Sequence, residues 1–176
     1  LRPFGFEESH LFFGRDGQSE QLISRLGRTR FLAVVGTSGS GKSSLVRAGL
    51  LPTMLGGFMT SAGSGWRVAI LRPGNDPIGN LARALTEPDV FGSEIPEHTA
   101  MQTAIIEATL RRGRLGLVDT VRQAVMPANE SLLVVVDQFE EIFRVGRIAE
   151  GEAYLNDSAA FVKLLLEASK SRDVRI

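Results

Sequence analysis

The stretch FLAVVGTSGSGKSSLVRAGLL, Phe31 to Leu51, decides the fold. An apolar run ends at Gly36, a loop of small residues follows, and Lys42-Ser43-Ser44 opens an amphipathic helical pattern. The spacing fits G-x-x-x-x-G-K-S/T in the strand, loop and helix setting that its chemistry requires. Phosphate oxygens need donors closer than side chains allow, so Gly36, Gly39 and Gly41 let backbone N–H groups curl inward. The positive end of the following helix then points at the same place. Thr37, Ser38 and Ser40 fill the loop, Lys42 brings a mobile positive charge to β- and γ-phosphates, and the Ser43 hydroxyl can ligate Mg²⁺, with Ser44 behind it. The expectation is a nucleoside triphosphate site running from Gly36 to Ser44.

A second stretch, LLVVVDQFEEIF from Leu132 to Phe143, supplies its natural companion. Five consecutive aliphatics mark a buried strand, and Asp137 stands at its carboxyl end. A carboxylate there can hold a water of the Mg²⁺ shell. Hydrolysis also needs a group that orients or deprotonates water, and either Glu140 or Glu141 can be brought back by a turn after Asp137. The competing reading makes both glutamates exposed charges on a short helix that buries Phe139, Ile142 and Phe143.

Between these stretches the chain alternates strands and helices. Leu1 to Gly14 reads as an extended arm that packs aromatic residues on the domain, and Asp16 reads as the cap of a helix from about Gly17 to Leu26, stopped by Gly27. Phe31 to Val35 reads as a strand buried on both faces. The next helix is expected to run from Lys42 to about Leu51, before Pro52, and Met54 to Gly65 to form a Gly/Ser/Met-rich connection. A strand over Arg67 to Leu71, a turn at Arg72-Pro73-Gly74, and a helix capped by Asp76-Pro77 come next. Helices follow at Thr99 to Arg111, Leu115 to Met126 and Tyr154 to Ser169, with a short one over Gln138 to Val145 and a strand beginning at Val174. This order predicts a three-layer α/β domain with a parallel sheet, whose ligands bind beyond the carboxyl ends of the strands. The expected division is an arm over residues 1–16 and a nucleotide-binding domain over 17–176.

Composition narrows the classes. With 176 residues, 43% of them hydrophobic, the chain has material for one domain with a sizeable core. Twenty basic residues balance twenty acidic ones, so charge gives no clear signal for nucleic acid or an anionic membrane. The absence of cysteine removes disulfides, thiolate metal sites and cysteine nucleophiles, and suits a reducing, cytoplasmic setting. No apolar run approaches a membrane span. Leu1-Arg2-Pro3-Phe4 has neither a signal-peptide core nor an initiator methionine, and reads as the start of a segment from a longer protein. Arg15 can reach a nucleotide from the arm or pair with an acid; Arg72 can sense phosphate or brace a turn. Arg111, Arg112 and Arg114 read as a solvated face. His10 and His98 lack metal-ligand spacing, and Trp66 and Tyr154 read as packing residues.

The ordered set LRPF, FFGR at Phe12 to Arg15, FLAVVGTSGSGKSSLVRAGLLP, RPG at Arg72 to Gly74 and VVVDQFEEIF resembles the novel STAND NTPase group of bacterial multidomain signalling proteins. The resemblance implies an AAA+-related ATPase that uses bound ATP or ADP, with Mg²⁺, as a conformational switch, self-associates and works with fused or separate sensor and effector domains. FFGR is similar to an element lying by the nucleotide in that family, which favours Arg15 as a nucleotide contact. The spacing of Asp137, Glu140 and Glu141 is similar to the Asp-x-x-acid-acid form of the NACHT group, which supports Glu141 as the water-activating acid. Gln138 departs from the AAA+ pattern of a second acid directly after the first. A sensor arginine and a winged-helix half are expected beyond Ile176. Two other functions fit the loop alone: a phosphotransferase acting on a small molecule, and a non-hydrolysing module that binds nucleotide for stability.

Overall fold

The computed structural model describes residues 4, 8, 11, 14–55, 65–143 and 151–176. They form two compact units, Leu1–Trp66 with Ala128–Glu130, and Arg67–Pro127 with Ser131–Ile176. The fold is α/β, and the described residues include a three-stranded sheet in the order β1-β2-β3 and six helices. Phe12, Phe13, most of the arm, and residues 56–64 and 144–150 of the expected connections lie outside the described residues.

In the first unit, α1 spans Asp16–Arg28. Asp16 is already helical, so the capping position falls to Arg15, whose carbonyl accepts the N–H groups of Gln18 and Ser19 at 2.9 and 3.1 Å. Gly27 does not stop the helix, since a helical glycine costs only about 1 kcal/mol. Closure comes at Thr29, whose N–H and hydroxyl both donate to the Arg25 carbonyl, at 2.8 and 2.9 Å.

The second helix, α2, is continuous but changes register: α over Lys42–Ser44, π over Leu45–Leu50, α again over Leu51–Leu55. The expected stop before Pro52 is thus overturned. Proline lacks an N–H, and in α register its ring meets the carbonyl four residues back. The wider π turn relieves that collision: the Leu51 N–H reaches the Val46 carbonyl five residues back, and the Thr53 hydroxyl caps the Gly49 carbonyl at 2.9 Å. Leu45, Ala48, Leu50, Leu51 and Met54 are buried along this helix, with Leu26 of α1.

Phe31 to Val35, expected as a buried strand, has no regular secondary structure and no ladder partner among the described residues. Phe31 is 41% and Val35 88% exposed. An apolar run signals a tendency to be buried, but strand geometry also requires a neighbour to take the backbone hydrogen bonds.

The second unit carries the sheet core. β1 spans Gly65–Leu71, β2 Glu130–Val136 and β3 Val174–Arg175. β2 and β3 pair in parallel, with Leu132 opposite Val174 and Leu133 opposite Arg175. Gly65 N–H donates to the Asn129 carbonyl and Asp137 N–H to the Leu71 carbonyl, so β1 and β2 run start to start and end to end, also parallel. Ser131 to Val134 are buried consecutively, as the central strand of a covered parallel sheet must be.

Around the sheet lie α3 (Pro77–Leu85), α4 (Pro96–Arg111), α5 (Gly116–Gln123) and α6 (Gly151–Ala168). Asp76 caps α3 as expected, accepting the Gly79 N–H at 3.0 Å with proline at the first helical position. The short helix expected after Asp137 is a 3-10 turn over Phe139–Phe143. Leu81, Leu85, Leu117, Leu132, Phe161 and Val174 are all fully buried in one cluster. Phe161 on α6 is its largest member, so Phe161→Ala is expected to lower the unfolding free energy in urea by about 3–5 kcal/mol.

Candidate nucleotide-binding site

In the first unit, the loop from Gly36 to Gly41 is shaped by backbone conformations that side chains resist. Gly39 and Gly41 stand at φ +78° and +82°, in the left-handed region where glycine carries no steric cost. A Cβ on Gly36 would lie 3.0 Å from the Ser40 hydroxyl, so a side chain there would crowd Ser40 and require it to shift. Ser40 N–H closes a turn on the Thr37 carbonyl at 3.2 Å, and Leu45 N–H bonds the Gly41 carbonyl at 2.9 Å, which starts the helix directly after the loop.

Lys42 Nζ folds over this loop and donates to the carbonyls of Gly36 and Thr37 at 2.8 and 2.9 Å. The ammonium is thereby held within the cradle, where a phosphate would meet it. The Arg15 guanidinium lies against Gly41, its Nη1 3.6 Å from where a Cβ on that glycine would stand. Ser44 is buried, and its hydroxyl accepts the Phe4 N–H at 3.1 Å. Of the two helix-opening serines, Ser44 is therefore engaged by the arm. A tight glycine loop, a lysine over it and a helix start behind it fit a polyphosphate with a divalent metal; Ser43 would supply the hydroxyl ligand.

In the second unit, two turns meet at the carboxyl edge of the sheet. Asp137 follows β2 with its side chain only 10% exposed, and Arg72, following β1, pairs with it at Nε–Oδ2 3.7 Å. Gly74, two residues further on, donates its N–H to Glu141 Oε2 at 3.2 Å. The RPG turn thus touches two of the three acids of the second motif, Asp137 and Glu141. It is braced from below: Asn80 Nδ2 donates to the Pro73 carbonyl at 2.8 Å, and Arg83 donates to Asn80 Oδ1 at 2.7 Å.

Gln138 lies at φ +57°, a left-handed conformation that is uncommon outside glycine. That residue turns the chain sharply out of β2, and the Glu141 N–H closes the turn on the Gln138 carbonyl at 2.9 Å. Ile142 is buried, while Glu140 is exposed. The two glutamates, equivalent in sequence, are therefore distinct in space: one is anchored to Gly74 and the other faces water.

Arg111, expected on a solvated face, is exposed as expected and is also an ionic hub. Its guanidinium reaches Asp157 Oδ2 at 2.8 Å, Glu107 Oε1 at 2.9 Å and Asp76 Oδ1 at 3.4 Å, joining α4 and α6 to the cap of α3. The hydrogen bond to Asp157 raises its already high affinity for the proton, opposed by partial burial and helped by Glu107. Arg114 pairs with Glu167 at 3.7 Å. His98 is exposed, His10 lies outside the described residues, and no metal-holding group of three His, Asp or Glu side chains occurs among the described residues. Two open clefts of about 440 and 540 Å³ in this unit include neither Asp137 nor Glu141.

Sequence reading left Arg72 open between sensing phosphate and bracing a turn, and did not foresee its pairing with Asp137 or the Gly74 contact to Glu141. The signal was there: the residues following two neighbouring parallel strands must emerge side by side at one edge.

A parallel α/β sheet with a glycine cradle that opens a helix defines a nucleoside-triphosphatase domain. The chain belongs to the Novel STAND NTPase 1 family, nSTAND1, whose model matches residues 1–176, its whole length. No curated protein and no solved structure matches it. Membership in an NTPase family implies nucleotide binding. No helix among the described residues is long and apolar enough to cross a membrane.

The left-handed turn at Gln138 yields a test by stability alone. Gln138→Val places a β-branched residue where φ is positive, and is expected to cost about 1–2 kcal/mol in a urea melt. Gln138→Gly, which relieves strain but frees the unfolded chain, is expected to change it by less than about 1 kcal/mol.

Proposed function

We propose that this chain is the nucleotide-binding half of a STAND-type signalling ATPase, which binds ATP with Mg²⁺ and hydrolyses it slowly as a conformational and oligomerisation switch. The observation that carries the reading is the Lys42 ammonium held over the glycine loop by the Gly36 and Thr37 carbonyls. Backbone N–H groups from Gly36 to Ser44 and the Lys42 ammonium bind the phosphates, and Arg15 contacts the nucleotide beside Gly41. Ser43 directly, and Asp137 through water, hold Mg²⁺, which when bound neutralises charge on the β- and γ-phosphates.

Glu141 is the acid that orients water and takes its proton. Its anchorage to Gly74 supports this choice, because a general base must be held in place, whereas Glu140 is exposed. Chemistry here serves switching: contacts to the γ-phosphate hold parts of a larger protein together only while ATP persists. The partners are further copies of the protein and sensor and effector domains, and the absence of cysteine suits a cytoplasmic setting.

Single-turnover hydrolysis of radiolabelled ATP, paired with equilibrium binding, tests the assignment. Lys42→Ala is expected to lose nucleotide affinity by at least about a hundredfold. Glu141→Gln is expected to keep affinity while hydrolysis falls by about 10²-fold or more, and Glu140→Gln to stay within about threefold of the parent. Hydrolysis unchanged by both glutamate substitutions would instead mark a module that binds nucleotide for stability, and unchanged affinity in Lys42→Ala would end the reading altogether.

A further inference from the structure

Asp137 is a carboxylate almost withdrawn from water, at the end of a strand buried on both faces. An ionised carboxylate in such a place needs a countercharge or dense hydrogen bonding to stay charged. Arg72 stands 3.7 Å away, and among the described residues no other acid pairs with it. The pair is asymmetric: the Arg72 side chain is 49% exposed against 10% for Asp137. The cation can therefore swing into solvent at little cost, while the carboxylate, fixed by β2 and by the Asp137 N–H bond to Leu71, stays where it is.

The geometry points to Arg72 as a resident counter-cation of Asp137, a positioning residue that competes with Mg²⁺ for the charge of that carboxylate and so sets how much Mg²⁺ the site requires. The inference rests on the proposed role of Asp137 beside the metal. A guanidinium and a divalent cation drawn to one carboxylate repel each other, so Arg72 opposes the Mg²⁺ that Asp137 holds through water, and uptake of Mg²⁺ favours its withdrawal into solvent. Displacement is local and needs no change in the fold, since the RPG turn is held separately by Asn80 and by Glu141. The Gly74 N–H keeps Glu141 in register while Arg72 moves. One turn then has two duties: a fixed backbone donor to the acid that handles water, and a releasable cation on the acid that supports metal.

The test is the affinity of a fluorescent, non-hydrolysable ATP analogue for the full chain, measured across a Mg²⁺ titration. Arg72→Gln is expected to lower the Mg²⁺ concentration for half-maximal tightening roughly fivefold, the size suited to removing one unit charge from beside a divalent ion in a partly solvated site. Arg72→Lys, which keeps the charge, stays near the parent. Asp137→Asn raises the midpoint, and the double variant Arg72→Gln, Asp137→Asn behaves as Asp137→Asn alone, because Arg72 acts through that carboxylate. An unchanged or raised midpoint in Arg72→Gln overturns the inference while leaving the nucleotide site standing, provided that Asp137→Asn weakens the Mg²⁺ response. An equal shift from Arg72→Gln with and without Asp137 also overturns it, as a general field effect. A midpoint indifferent to Asp137→Asn overturns both the inference and the metal-supporting role on which it rests.

Discussion

The hydrogen bond from the Asp137 N–H to the Leu71 carbonyl, 2.9 Å long, is the constraint on which the acidic turn of the second unit depends. It fixes where two neighbouring parallel strands end relative to each other. Strands of a parallel sheet all deliver their chains to the same edge, so the residues after β1 and after β2 have to share space there. Arg72 and Gly74 emerge from one strand, and Asp137, Gln138 and Glu141 from the other. Their pairing follows from register, with the RPG turn acting as the surface on which the acids are arranged. Its supports extend through Asn80 and Arg83 to Asp76, and from Asp76 through Arg111 to Glu107 and Asp157. Each exposed ion pair is worth little by itself, but together they fix the start of α3 directly beneath the turn.

The glycine loop of the first unit depends on a different constraint, the room that missing side chains leave. Gly39 and Gly41 take left-handed conformations, Gly36 leaves space for the Ser40 hydroxyl, and Lys42 closes back on the loop it follows. The helix behind it then yields elsewhere. Its π segment from Leu45 to Leu50 lets a continuous helix pass Pro52 while keeping Leu50, Leu51 and Met54 buried. Register is sacrificed there to keep the helix start intact at the loop.

Much of this was legible in the sequence, and what was not has physical causes. The glycine loop, the five aliphatics before Asp137 and the Asp76-Pro77 cap each encode their structure in residue type at fixed spacing, so they could be read one at a time. Phe31 to Val35 could not be, because an apolar run does not declare whether a ladder partner is present. Pro52 misled because the rule that proline ends a helix assumes α register. The choice between Glu140 and Glu141 and the place of Arg72 depend on how two turns sit side by side, which is a property of strand register and of no single motif. The exposure of Arg111 is legible from its arginine neighbours, but its pairing with Asp76 and Asp157 is not, because those partners are distant in sequence.

The central claim is that the cradle from Gly36 to Ser44 takes a nucleoside triphosphate. Calorimetric titration of the chain with ATP in the presence of Mg²⁺ tests it most directly. The account predicts saturable binding of one ATP per chain at roughly micromolar affinity, competed by ADP and not by adenosine, because the phosphates supply most of the contacts. Adenosine competing as well as ADP, or no saturable heat at all, would contradict it.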